Sequence, residues 1–212
     1  MITPQRVLVL APHTDDAELG CGGTLARWTD EGADVFVAVF STAEESLPPG
    51  ARPGQLRDEC HHALDELKVP VGNRFFHDHP VREFGYHRQE ILEQLISLRA
   101  EVRPEVVLVP AGADLHQDHG VIHQESLRAF RHLTMLGYEM PWNHITFSAE
   151  GFVVLDREHL ERKWRALTRY ASQIELARPY FSHDTIEAMA RVRGLQMKAE
   201  LAEAYEVIRL RL

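Results

Sequence analysis

The chain has 212 residues, 44% of them hydrophobic and 26% charged, and a formal net charge of −9. A chain of this size buries a core without disulfide help, and its two cysteines, Cys21 and Cys60, make no disulfide framework and fit a reducing cytoplasm. The acidic balance excludes a general nucleic-acid binder, and the sequence has neither an apolar run of membrane-spanning length nor a signal-type N-terminus.

In chain order, strand and helix patterns alternate. RVLVLA (6–11) predicts a strand, and 16–31 a helix with Leu19, Gly23, Leu25 and Trp28 along one face. ADVFVAVFS (33–41) predicts a second strand, and LPPGARPG (47–54) a long loop. GQLRDECHHALDELKV (54–69) places Leu56, Cys60, Ala63, Leu64 and Leu67 at amphipathic-helix spacing. NRFFHD (73–78) predicts a third strand, RQEILEQLISLRAEV (88–102) a helix, and EVVLVPAG (105–112) a fourth strand. MLGYEMPWN (135–143) reads as a loop, 144–156 as one or two edge strands, and 157–171 and 183–208 as helices. Strands separated by helices of this length imply right-handed crossovers and a mainly parallel sheet flanked by helices, an α/β fold. No repeat, low-complexity tract or linker divides the chain, so a single domain over 1–212 is expected.

Two polar clusters follow the strongest strands. The first strand runs into PHTDD, with His13, Asp15 and Asp16, and the fourth is followed by DLHQDH, Asp114 to His119. Ligands of open parallel sheets bind beyond the carboxyl ends of the strands, so the clusters are expected to converge in one cleft. Imidazole and carboxylate suit a zinc ion held by three protein groups, with a position left for water. His13 and Asp16 can face one centre from a turn entering a helix, with His119 or His116 as the third donor. A phosphate at that helix start would meet two negative charges, so Gly20, Gly22 and Gly23 are read as close-packing positions rather than a phosphate cradle. A plain helix cap needs one such side chain, not a histidine and two carboxylates.

APHTDDAELGCGG together with DLHQDHG resembles the LmbE/PIG-L family of zinc-dependent N-acetyl-sugar deacetylases, with its His-Pro-Asp-Asp signature and later His-x-x-His. The similarity extends through LRDECHHALDELKV, KWRALTRYASQ (163–173) and RGLQMKAELAEAYEVIR (193–209). Thr14 stands where the family has proline, and Ala17 where many members have glutamate, with Glu18 following. The resemblance implies a Rossmann-like three-layer sandwich that binds one Zn2+ through His13, Asp16 and His119. It makes Asp15 the general base and His116, best as imidazolium, the group that steadies the oxyanion or protonates the leaving amine. Asp118 is expected to orient a histidine from behind, and Glu44 and Arg57 to contact substrate. The implied substrate is an N-acetylglucosamine-type sugar or glycoconjugate, and association into a homo-oligomer is a further family trait.

Arg82 is a candidate contact for an anionic substrate group, with an ion pair to Glu83 or another helix carboxylate as the alternative. Tyr138, Trp142 and His144 are placed on a long loop, where they either cover the cleft and stack on a sugar ring or pack against the sheet or a neighbouring subunit. His77, His79 and His87 lie near FFHDHPVREFGYHR, where Asp78 ends the third strand and reads as a polar surface group rather than a contact to a sugar hydroxyl, and His61 and His62 diverge from one helix. His123 reads as a helix-face histidine and Cys21 as a small packing group. A Rossmann-type nucleotide-binding transferase, a non-catalytic metal carrier and a phosphate-ester hydrolase are the competing readings. The first lacks the glycine spacing, the second has no use for Asp15 and His116, and two bridged metals would suit the third better.

Overall fold

The computed structural model describes residues 3–47 and 50–211. Two prolines of the 47–54 segment, Pro48 and Pro49, lie outside them. The elements in chain order are β1 (Arg6–Ala11), α1 (Asp16–Asp30), β2 (Asp34–Val39), α2 (Gln55–Glu66), β3 (Arg74–Phe76), α3 (Arg88–Val102) and β4 (Val106–Pro110). There follow α4 (Gln117–Ala129), β5 (Thr134–Tyr138), β6 (Gly151–Leu155), α5 (Arg157–Leu167), α6 (Ala171–Glu175), α7 (His183–Gln196) and β7 (Leu201–Arg209).

The strands form one seven-stranded sheet in the order β3-β2-β1-β4-β5-β7-β6. Its first five strands are parallel, and β7 runs antiparallel to both β5 and β6. Alternation along β1 explains why the sheet is covered on both sides. Val7, Val9 and Ala11 pack with α1, α2, α5 and α7, whereas Leu8 and Leu10 pack with α3 and α4. All five side chains are fully buried. The chain leaves β1 toward β2 on one side and reaches β4 on the other, so the strand order reverses between β1 and β4, where a crevice opens beyond their carboxyl ends.

Glycines seat α1 against this sheet. A Cβ at Gly20 would lie 2.3 Å from the Tyr138 ring, and one at Gly23 would lie 2.5 Å from Leu155. A kink at Cys21 (φ −145°) lets the helix follow that surface. Behind it, the buried ammonium of Lys163 bonds Glu203 at 2.7 Å and the Leu19 carbonyl at 2.8 Å. The Glu203 carboxylate also accepts the N–H groups of Gly23 and Thr24, so the pair ties α1, α5 and β7 together with few polar groups left unsatisfied.

The last third departs from the sequence expectation in two places. Residues 135–138 of the expected loop belong to β5, with Tyr138 fully buried and its hydroxyl donating to the Leu10 carbonyl at 3.0 Å. The expected helix over 183–208 stops at Gln196, and the chain turns back through Lys198, at φ 52°, into β7. LAEAYEVIR is rich in good helix formers, but inserted between β5 and β6 it buries Leu201, Ala202, Ala204 and Tyr205 and pairs its backbone on both sides. Tertiary burial overrides the local preference. Among the described residues no helix is long and apolar enough to cross a membrane.

Candidate metal centre

The crevice between β1 and β4 brings the two polar clusters together. After Ala11 the chain makes a short turn into α1, and the His13 N–H donates to Asp16 Oδ2 at 2.8 Å, folding that carboxylate back beside the His13 ring. After Pro110 a loop leads to His116, which sits immediately before α4, and His119 lies in that helix's first turn.

Three donor atoms converge there. Asp16 Oδ2 is 3.3 Å from His13 Nδ1 and 3.2 Å from His119 Nε2, and the two nitrogens are 3.4 Å apart. Zinc–nitrogen bonds of about 2.0–2.1 Å in a tetrahedron separate neighbouring donors by roughly 3.3–3.4 Å, so the triangle has the size of one tetrahedral face.

The ring protons are committed elsewhere. His13 Nε2 donates to Asp118 Oδ2 at 3.0 Å, and His119 Nδ1 donates to Asp114 Oδ2 at 2.7 Å. These bonds leave His13 Nδ1 and His119 Nε2 as lone-pair donors aimed at a carboxylate oxygen. Such a meeting repels unless a cation or extra protons occupy it, and carboxylates bonded to the far nitrogens are the usual support of metal-binding histidines. Without a cation, protons take its role. Burial opposes the charged rings, but Asp118 and Asp16 outweigh it and raise the His13 pKa to about 9, while Asp16 and Asp114 raise that of His119 to about 10. Asp16 is likewise penalised by burial yet is held far below the ordinary carboxylate range by the two imidazoles. This donor set fits a divalent metal ion.

Asp15 stands beside the triangle. It occupies the cap position of α1 yet makes no capping bond with its side chain, so its carboxylate is not spent on the helix. Burial first, then the charge of Asp16, raises its pKa to about 6. The His116 ring lies 4.9 Å from His13 and 4.7 Å from His119, centroid to centroid. Its Nδ1 accepts the Asp118 N–H at 3.2 Å, which puts the ring proton on Nε2, and burial followed by the two neighbouring imidazoles lowers its pKa. With Nδ1 accepting, Nε2 is the ring position left to donate.

These groups line a cleft of about 470 Å³. Arg82 and Trp142 line it too, the latter stacked on Tyr180 with ring centroids 4.2 Å apart. Glu44 and Arg57 are not brought there: Glu44 accepts the Gly54 N–H at 3.1 Å, and the Arg57 guanidinium lies 4.9 Å over the Phe76 ring. Tyr138 is buried under α1, and His144 accepts the Met140 N–H at 3.0 Å, so Trp142 alone of the three expected loop residues reaches the cleft. His123 Nδ1 bonds the Pro110 carbonyl at 2.8 Å. His79, after β3, is only 6% exposed.

Sequence reasoning missed four contributors. Asp114 holds His119 and, through Oδ1, the His116 N–H at 2.8 Å; the need of every ligating imidazole for an outward acceptor would have pointed to it. Glu18 is wholly buried behind the turn against the Tyr170 hydroxyl, 3.1 Å away, and burial pushes its pKa up to about 8, keeping it a neutral acid. Arg178 and Tyr180 line the cleft from the irregular segment between α6 and α7, where no local pattern marks them.

The chain is 28% identical over 174 residues to the uncharacterized deacetylase YaiS of Escherichia coli, covering 78% of this chain and 90% of that protein. It is 30% identical over 176 residues to the 1D-myo-inositol 2-acetamido-2-deoxy-alpha-D-glucopyranoside deacetylase of Mycobacteroides abscessus, covering 70% of this chain but 63% of the relative's length. Among solved structures, the conserved protein TT1542 of Thermus thermophilus superposes with a TM-score of 0.80 at 25% identity, covering 100% of this chain and 97% of that one. The hydratase GalB of Pseudomonas putida reaches the same TM-score at 17% identity, with 98% of each chain covered, so the fold by itself does not fix the chemistry. Residues 8–130 match the profile of PIG-L, GlcNAc-PI de-N-acetylase, and with more than half its length inside that match the chain belongs to the PIG-L family.

Proposed function

We propose that the chain is a zinc-dependent deacetylase that removes the N-acetyl group from an N-acetylglucosamine-type sugar or glycoconjugate, releasing acetate and a free amino sugar. The observation that carries this reading is the convergence of one donor atom each from His13, Asp16 and His119 beside Asp15 and His116 in one cleft. A carrier needs the three donors alone. The deacetylase names of the relatives supply the substrate class.

When bound, the ion would polarise the amide carbonyl and acidify a water molecule toward neutrality. Asp15, with its carboxylate free and its pKa near the working range, accepts the proton of the attacking water. The His116 Nε2–H donates to the carbonyl oxygen as it gains negative charge, and a preorganised donor of this kind is worth roughly 3–4 kcal/mol in the transition state. As the C–N bond breaks, Asp15 returns its proton to the departing nitrogen, leaving the amine and acetate. Asp114 and Asp118 hold the rings of His119 and His13 throughout. Arg82 is assigned to an anionic portion of the substrate, and Trp142 with Tyr180 to an apolar sugar face. The reading further takes 1–212 as one domain working in a reducing compartment, which suits the buried free thiols of Cys21 and Cys60.

Acetate release from a panel of N-acetylglucosamine conjugates, with and without a chelator, tests the proposal. Chelator-sensitive acetate from at least one conjugate supports it. No acetate from any of them, alongside metal-dependent addition of water to an unsaturated acid, would replace it with a hydratase.

A further inference from the structure

A second histidine–carboxylate group lies outside the machinery described above. One donor atom from each of His79, His87 and Glu90 lies within 4.8 Å of the others. His79 follows β3, and its N–H bonds the Phe40 carbonyl at 3.0 Å, so the sheet fixes its position. Its Nε2 donates to Gln94 Oε1 at 2.8 Å, which sets the tautomer and leaves Nδ1 with a free lone pair. His87 and Glu90 straddle the start of α3, three residues apart, as His13 and Asp16 straddle the start of α1. His87 Nδ1 is 3.4 Å from Glu90 Oε2, and the His79 and His87 rings are 5.4 Å apart, centroid to centroid.

We infer that His79, His87 and Glu90 form a second binding site for a divalent transition-metal ion such as zinc, separate from the cleft. Two imidazoles and a carboxylate are a sound donor set for such ions. One imidazole is buried with its Nε2 bonded to the Gln94 side chain, a hydrogen-bonded support of the kind that a metal-binding histidine needs. Glu90, with its side chain 61% exposed, is free to swing inward and complete the set.

Occupancy has a structural consequence. The segment between His79 and His87 carries Arg82, whose N–H donates at 2.6 Å to the Asp118 oxygen that also takes the His13 proton. It also carries Phe84, whose ring lies 5.8 Å from His79 and 5.9 Å from His13. An ion joining His79 to the start of α3 ties the two ends of this segment together and stiffens the wall it gives the cleft.

The test is calorimetric titration of zinc into untagged, dialysed protein that already holds one equivalent. A second, weaker equivalent is expected, with slower amide hydrogen exchange over 80–90 when it binds. His87→Ala and Glu90→Gln are each expected to weaken this second step about 10-fold or more and to leave the first equivalent in place. No second uptake up to about 1 mM free zinc, or a second step that both variants leave unchanged, overturns the inference.

Discussion

The His13–Asp16–His119 and His79–His87–Glu90 groups use the same parts in different settings. Each takes a histidine and a carboxylate three residues apart at the start of a helix and adds a histidine from elsewhere in the chain. In the first, the donors are already 3.2–3.4 Å apart, Asp16 and His119 are buried, and two carboxylates hold both ring protons outward. In the second, the donors spread to within 4.8 Å, one carbonyl-type acceptor fixes one ring, and the carboxylate points to solvent. Residue type is therefore a poor guide to affinity. What separates a permanent metal centre from an exchangeable one is how much ordering is complete before the ion arrives, and how little water competes for the donors.

The sharpest way to break this contrast is His119→Ala. It is expected to empty the cleft of tightly held metal and to abolish acetate release, read together by elemental analysis after dialysis and by activity. Asp15→Asn is expected to retain the metal while activity falls about 10³-fold, the scale of a lost general base. Asp114→Ala removes no proposed ligand, yet is expected to weaken metal binding about 10- to 100-fold in a chelator competition, because the His119 proton loses its acceptor. Unchanged affinity there would mean that the outward carboxylates contribute nothing to the difference between the two groups. Gly20→Ala probes the rigid seat of α1: its Cβ would collide with the Tyr138 ring, and a loss of about 1–3 kcal/mol is expected from the denaturant midpoint.

Four of the five parallel strands, β1 to β4, and the polar clusters that follow two of them were legible in the sequence because both signals are local. Runs such as RVLVLA and EVVLVP report strands buried on two faces, and the polar clusters follow them within a few residues. The edge strand β6 lies within the expected 144–156 segment, but its neighbour β7 was not legible. In β7 the Leu-Ala-Glu-Ala stretch carries helix propensity, and only its insertion between β5 and β6 makes it a strand. Tyr138 stood in a short segment interrupted by Gly137, where nothing local reveals that its ring lies under Gly20. Glu44 and Arg57 carried no spatial information of their own, and the fold turns one onto Gly54 and the other onto Phe76. Arg178 and Tyr180 reach the cleft only because the segment between α6 and α7 passes over it.

An anomalous-difference map at the zinc absorption edge, from crystals of dialysed protein, is the most direct measurement of the central claim. The account predicts one strong peak about 2.0–2.2 Å from His13 Nδ1, His119 Nε2 and an Asp16 oxygen, with a solvent oxygen in the remaining position and Asp15 unbound. A peak coordinated by Asp15, or one that leaves His119 out, would contradict it.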